Sequence, residues 1–235
     1  MSGASPGGRV AALVPAAGKG ERLGPGVPKA LREIAGSPML VHAVKALAAS
    51  PFVEVVIVAA PESSVEEVRA LLARQELPAD VSVVAGGETR SESVARALIS
   101  LPDDVDVVLV HDAARPLVPV EVVSGVVAAV RAGHDAVIPV IAVTDTIKTI
   151  ADDGTILGTP PRDRLRATQT PQGFRRDVLQ RAHAEVDAPV TDDAGMVESL
   201  GIAVHAVDGH EEAFKVTRPL DFLLAESVLA KRRVR

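Results

Sequence analysis

Val10-Ala11-Ala12-Leu13-Val14-Pro15-Ala16-Ala17-Gly18-Lys19-Gly20-Glu21-Arg22-Leu23-Gly24 opens the readable part of the chain, and Pro28-Lys29 follows shortly after. Five apolar residues bounded by a proline and small residues read as a buried strand that runs into a loop. The loop is built from Ala and Gly, so its backbone can curl closely around a phosphate and aim N–H groups at it. Lys19, Arg22 and Lys29 add local positive charge to an otherwise acidic chain. A βα turn with solvated lysines would look the same on this segment alone.

Further apolar runs recur along the chain at Glu54 to Ala59, Val81 to Ala85, Val105 to Val110 and Ala136 to Val140. Helical patterns lie between them, and such alternation specifies an α/β fold: a mostly parallel twisted sheet flanked by helices. Ser37 followed by Pro38 reads as an N-cap and a first-turn proline, with Leu40, Val44 and Leu47 as the buried face. Val123, Val126, Val127 and Val130 give the same stripe to a later helix. Helices are also expected near Arg175 to Val186, Asp192 to Leu200 and Pro219 to Lys231, the last with a stripe of Leu220, Leu223, Leu224 and Val228. Between Val143 and Leu157 the alternation stops. Two β-rich runs flank Asp152-Asp153-Gly154, which reads as a projecting hairpin arm at about residues 141–164. Residues 1–8 read as a flexible N-terminal tip and residues 9–235 as one domain carrying the arm.

Composition narrows the function. The 235 residues are 47% hydrophobic and 24% charged, enough for a full core. Four Phe with no Trp or Tyr leave no stacking platform for single-stranded nucleic acid, and the formal charge of −6 argues against a polyanion-binding surface. Cysteine is absent, which removes disulfides, thiolate metal sites and Cys nucleophiles. Runs such as Val122 to Val130 fall short of the roughly 18 apolar residues of a membrane span. A start without a charged segment and apolar h-region reads as cytoplasmic.

Two familiar glycine loops fit poorly. A P-loop needs Ser or Thr after a lysine that follows its last glycine, whereas Glu21-Arg22 follows Gly20. A dinucleotide fingerprint needs an acidic residue closing the second strand, which here ends Ala59-Ala60-Pro61. The strand at Val105 instead ends Val110-His111-Asp112-Ala113-Ala114-Arg115-Pro116. Strand ends of a parallel sheet gather in one crevice, so Asp112 and Arg115 should face the first glycine loop. An aspartate there can hold Mg²⁺ on phosphates, and an arginine can take a second phosphate. It can also be only a helix cap. His111 has no partner with triad or metal-ligand spacing and reads as a strand-end residue.

These segments resemble the 2-C-methyl-D-erythritol 4-phosphate cytidylyltransferases of the non-mevalonate isoprenoid pathway. The resemblance runs from about Val10 to Leu223. It is carried by Pro15 to Arg22, Pro28-Lys29, Gly86-Gly87-Glu88-Thr89-Arg90-Ser91-Glu92-Ser93, Asp112 to Pro116, and Asp145-Thr146-Ile147-Lys148. Gln169 to Phe174, Thr191-Asp192-Asp193-Ala194 and Lys215-Val216-Thr217-Arg218-Pro219 complete it. Leu23 departs from the Met or Phe common in the family.

The resemblance implies a Rossmann-like nucleotidyltransferase fold, a Mg²⁺ cofactor, and CTP with a small phosphorylated polyol as substrates. By it, Pro15, Ala16, Ala17 and Gly18 line the nucleotide, Gly87, Glu88 and Ser93 read cytosine, and Ala113 touches the nucleotide. Asp112 sits between ribose, metal and acceptor. Arg22, Lys29 and Lys215 stabilise the transition state. Arg115, Thr146, Thr170, Thr191 and Lys215 hold the acceptor. Arg162, with Arg164 as a rival, reaches the acceptor of a neighbouring subunit across a homodimer. A cytidylyltransferase for another polyol phosphate, such as ribitol 5-phosphate, and a non-catalytic nucleotide-binding protein are the competing readings.

Overall fold

The computed structural model describes residues 7–18, 28–186 and 190–233. Strands β1 (Arg9–Pro15), β4 (Val53–Ala60), β5 (Asp80–Ala85) and β6 (Val105–Val110) lie parallel in the order β6-β1-β4-β5. β1, β4 and β6 were legible as largely apolar runs because a strand covered on both faces needs no polar alternation, whereas β5, at the sheet edge, keeps Asp80 and Ser82 exposed beside its valines. Successive side chains of β1 separate cleanly: Val10, Ala12 and Val14 enter one core, Ala11 and Leu13 the other.

Helices α1 (Met39–Ala48), α2 (Val65–Ala73) and α4 (Val120–Arg131) cover the first face, with Leu40, Leu72 and Val126 in the core. The second face is covered by α3 (Arg90–Ile99), α5 (Arg176–Glu185) and α6 (Asp193–Ser199), through Val94, Leu179 and Val197. With so few aromatics, Phe174 is the largest fully buried side chain. Gly173, beside it, packs under α4: a Cβ there would run into Val126.

Past β6 the sheet continues through β7 (Ala136–Ala142), which the apolar run Ala136 to Val140 marked, and through three strands that the sequence pattern did not mark. β11 (Gln172–Arg175) runs antiparallel between β6 and β7, and β10 (Arg166–Thr168) extends the same line along the far half of β7. β12 (Val204–Asp208) closes the other edge of β7 in parallel. The arm pairs over a shorter length than expected, only β8 (Thr149–Ile150) with β9 (Ile156–Gly158). Its turn is the expected one. Gly154 has φ +85°, and the Asp153 carboxylate accepts the Thr155 N–H at 2.9 Å.

Two expectations are corrected. Ser37 does not cap α1: Ser37–Pro38 is β3, paired with β2 (Glu33–Ile34) around Ala35 and Gly36, both at positive φ. The chain spends Ser37 on a tight hairpin, which leaves Pro38 at the cap position without a side-chain bond. In α7 (Pro219–Arg233) the leucine stripe faces outward, Leu220 being 72%, Leu223 62% and Leu224 51% exposed. The helix instead buries Ala225, flanked by Phe222, Val228 and Leu229, against Ile34, Met39 and Val216. Both faces have helical spacing, and tertiary packing chooses between them.

Candidate active site

Three loops meet at the carboxyl ends of β1, β5 and β6. Ala16 N–H donates to the Ala59 carbonyl (2.8 Å), Gly86 N–H to Ala60 (2.7 Å) and His111 N–H to Leu13 (2.9 Å), so each loop is tied to a neighbouring strand as it leaves the sheet. The crevice between them is lined by Pro15, Ala16, Ala17 and Gly18 on one side and by Glu88, Thr89, Arg90 and Ser93 on another. Asp112, Ala113, Lys29 and Lys215 complete it. The Lys215 segment is fastened there by the Val216 N–H, which donates to Ala114 at 2.8 Å.

The Gly86–Gly87 turn owes its shape to the start of α3. Thr89 Oγ1 accepts the Glu92 N–H (3.1 Å) while the Glu92 carboxylate reaches back one residue past the cap to the Glu88 N–H (2.8 Å), a variant of the reciprocal capping box. Ser93 Oγ accepts from Gly87 N–H at 3.1 Å and donates to the Thr89 carbonyl at 2.9 Å. A Cβ on Gly86 would stand 2.7 Å from Ala17 Cβ and 2.9 Å from Ser93 Oγ, so the two walls of the crevice touch across a glycine.

Asp112 is the electrostatic centre. Lys215 Nζ lies 2.7 Å from Oδ2, Arg90 Nε 3.2 Å from Oδ1 and Arg115 Nε 3.9 Å from Oδ2. Burial opposes its ionisation, but Arg90, Lys215 and Arg115 prevail and hold the carboxyl far below the usual range. Its backbone is fixed too. Asp112 N–H donates to Thr170 Oγ1 (3.1 Å), and Thr170 Oγ1 lies 3.0 Å from His111 Nδ1. His111 Nε2 is 3.0 Å from the Arg115 carbonyl, which can only accept. Nε2 therefore carries the proton and the Thr170 hydroxyl donates to Nδ1. Burial, above all, keeps that imidazole neutral, its pKa lowered to about 4.

Against this geometry the comparisons with known proteins are consistent. Residues 10–231 match the family model described as IspD, 2-C-methyl-D-erythritol 4-phosphate cytidylyltransferase. Enzymes of that name from Frankia casuarinae and Streptomyces avermitilis are 58% and 56% identical to the chain, over 95% and 97% of it and 82% and 94% of their own lengths. The crystal structure of the Thermus thermophilus enzyme of that name superposes with a TM-score of 0.75 at 34% identity, covering 94% of this chain and 98% of that one. A 4-diphosphocytidyl-2C-methyl-D-erythritol synthase from Anaerococcus prevotii reaches 0.83 at 25% identity, with 95% and 96% covered. The chain belongs to this family.

Of the residues that the family resemblance singles out, the crevice gathers Pro15 to Gly18, Lys29, Glu88, Ser93, Asp112, Ala113 and Lys215. Gly87 is bonded to Ser93 just behind, and Thr170 and Arg115 support Asp112 from below. Arg115 is less free than a bidentate phosphate ligand. It is mostly buried, and its two terminal nitrogens donate to the carbonyls of Ala213 (2.7 Å) and Thr168 (3.1 Å). Its Nε has no hydrogen-bond partner. Thr191 lies exposed before α6. Thr146 and Arg162 are in the arm, and the Arg162 guanidinium donates to the Thr144 carbonyl at 2.7 Å, closing the arm at its base. Lys19 and Arg22 fall outside the described residues.

Sequence reasoning gave Arg90 no role, although it stands inside a quoted motif. A signal existed: an arginine in the first turn of a helix has the wrong sign for the helix dipole, so something else must hold it. That something is a pair of carboxylates, Asp112 and the Asp193 oxygen 2.6 Å from its terminal nitrogen.

As to a metal, no group of three or more His, Asp or Glu suited to an ion occurs among the described residues. The donor chemistry nevertheless fits Mg²⁺, which commonly binds through one or two carboxylates together with substrate phosphates and water. Asp112, ionised and lining the crevice, is the carboxylate that would hold such an ion. No helix among the described residues is long and apolar enough to cross a membrane.

Proposed function

We propose that this crevice transfers a cytidylyl group from CTP to 2-C-methyl-D-erythritol 4-phosphate, releasing pyrophosphate. The observation that carries the reading is the crowd of cations around one ionised aspartate, walled by two small-residue turns, in a chain of this family. A phosphate oxygen of the acceptor attacks the α-phosphorus of CTP in line. One P–O bond forms, the bond to the β-phosphate oxygen breaks, and pyrophosphate leaves with that electron pair. The nucleophile is already an anion, which accounts for a site rich in Lys and Arg but without a Ser-His pair.

The difficulty is repulsion between two polyanions. Lys29 and Lys215, both lining the crevice, offset it, with Arg22 as a further cation of the glycine loop. Asp112 would hold Mg²⁺, which neutralises phosphate charge when bound. Gly87, Glu88 and Ser93 offer backbone and side-chain groups to the cytosine edge, and Thr170, Thr191 and Arg115 serve the acceptor side. The acting unit is a cytoplasmic homodimer. The arm of each protomer crosses to its partner, so that Arg162 and Thr146 act at the partner's crevice. Exposed Ile150, Ile156 and Leu157 on the arm support this, since a short two-stranded hairpin is marginal without a surface to lie on. The test is pyrophosphate release by the purified chain with Mg²⁺, each of the four nucleoside triphosphates, and either methylerythritol phosphate or ribitol 5-phosphate. Release with CTP and methylerythritol phosphate is expected. Preference for ribitol 5-phosphate would change the acceptor, and no release with any pair would remove the enzymatic reading.

A further inference from the structure

Behind the crevice, and outside its lining, a second carboxylate grips the same arginine that faces Asp112. Asp193 opens α6 and is 1% exposed, with one oxygen 2.6 Å from the Arg90 guanidinium and the other 3.0 Å from His183 Nε2. The His183 ring, on α5, is itself buried at 6% exposure. The groups therefore form one line: His183, Asp193, Arg90, Asp112, Lys215. Arg90 is the only member that touches both carboxylates, giving Nε to Asp112 and a terminal nitrogen to Asp193.

This division has a consequence for Asp112. A guanidinium facing a lone carboxylate tends to close on it in a two-bond fork that uses both oxygens. The Asp193 bond instead fixes the direction from which Arg90 approaches: its Nε alone meets Asp112, at Oδ1, and Oδ2 is left to Lys215 on the crevice side. Asp193 in turn is kept in place by His183. A carboxylate this deeply buried needs donors on both oxygens, and Arg90 supplies only one of them.

We propose that Asp193, held by His183, is a positioning residue for the transfer, drawing Arg90 back so that Asp112 keeps one oxygen turned to Lys215 and the substrates. This rests on the crevice being the site of cytidylyl transfer. Neither residue touches the substrates; both act through Arg90.

The test uses the full-length protein with CTP and methylerythritol phosphate, reading kcat and KM for each substrate beside the thermal midpoint of every variant. His183→Ala and Asp193→Asn should each lower kcat/KM about tenfold, the usual scale for a group that acts through another. His183→Gln carries an amide N–H that can reach the same carboxylate oxygen, and should recover activity to within about threefold of wild type. Because the effect passes through Arg90, Asp193→Asn should add little to Arg90→Met, whereas two independent losses would multiply. A folded Asp193→Asn or His183→Ala protein with near wild-type kcat/KM would overturn the proposal. So would a His183→Gln variant as impaired as His183→Ala, or multiplicative losses in the double variant. A wild-type protein inactive on this pair of substrates would refute the functional reading instead. If Asp193→Asn fails to fold, the two His183 variants decide the matter alone.

Discussion

The crevice and the arm are built on opposite principles. Among the described residues of the crevice, polar groups are tied to one another within the chain: Asp112 meets three cations, Thr170 bridges Asp112 and His111, and the glycine turn is clasped by Thr89, Glu92 and Ser93. In the arm, Lys148 bonds Thr159, Thr149 bonds Gly158 and Arg162 bonds Thr144, all within the arm, while Ile150 and Leu157 are more than 60% exposed. One region is organised before any ligand arrives. The other has exposed apolar surface and no core of its own, and in the homodimer proposed above a partner protomer would supply what it lies on.

The largest test of this contrast is on the crevice side. Lys29 lines it from a short turn at Lys29–Leu31, as Lys215 does from the segment before α7. Replacing Lys29 by Ala should lower kcat by about 10² or more with a smaller change in KM, since its charge acts mainly on the developing transition state. Lys29→Arg should also be impaired, because a planar fork does not replace a compact ammonium. An unchanged kcat in the Ala variant, measured by pyrophosphate release, would make Lys29 a solvated loop residue.

The arm is tested by complementation. If Arg162 acts at the partner's crevice, mixing inactive Lys29→Ala and Arg162→Ala chains creates dimers in which one site has both defects and the other has neither. Random exchange should then recover about one quarter of wild-type activity in a twofold assembly. If Arg162 serves its own chain, every site keeps one defect and mixing restores nothing. Mass spectrometry of the exchanged dimers separates that outcome from failed exchange.

The same contrast explains how far the sequence could be read. β1, β4 and β6 are legible because burial on both faces leaves a run that is apolar but for a residue near its start, and the edge strand β5 is legible from its valines Val81, Val83 and Val84. β10 is three exposed residues, Arg166 to Thr168, and owes its existence to pairing with β7 rather than to its own pattern. α7 offers two helical stripes, and Ile34, Met39 and Val216 choose the one carrying Ala225 from far along the chain. Site residues followed the same rule. Asp112 and Lys29 stand in compact motifs, whereas Arg90 shows its role only once Asp112 and Asp193, 22 and 103 residues away, are brought beside it.

A smaller effect probes the rigidity of the crevice wall. The Gly86–Ser93 turn is held by its capping box and by contact with Ala17, so it cannot easily reshape itself around a different base edge. CTP should be preferred over UTP, ATP and GTP by more than about tenfold in kcat/KM, because hydrogen bonds left unmade in a fixed pocket are costly. Gly86→Ala, which drives a methyl between Ala17 and Ser93, should raise the KM for CTP more than that for the acceptor. Equal use of CTP and UTP would remove cytosine reading from this turn.

The last effect falls on stability rather than on rate and concerns the layer beneath the crevice. His111 is fully buried and neutral, its proton on Nε2 given to the Arg115 carbonyl and its Nδ1 accepting from Thr170. Its pKa in the fold is about 4, against 6.5 for the ordinary imidazole. The unfolded chain therefore takes up a proton from about pH 6.5 downward that the folded chain refuses until about pH 4. Stability from this group is complete above pH 6.5 and is lost as pH falls toward 4, by on the order of 3 kcal/mol over the whole window. Asp112 and Asp193 have the opposite sign of charge, and their lowered pKa values withdraw stability only below the unfolded carboxylate range near pH 4. Between pH 6.5 and 4.5, then, urea unfolding of the wild type should weaken more steeply than that of His111→Gln, although the variant starts less stable at pH 7. Protonation of His111 also removes the acceptor for Thr170, which orients Asp112, so the loss should reach the crevice while leaving the arm's hydrogen bonds as they are. Parallel stability curves for the two proteins across that window would show that His111 is not the group that titrates.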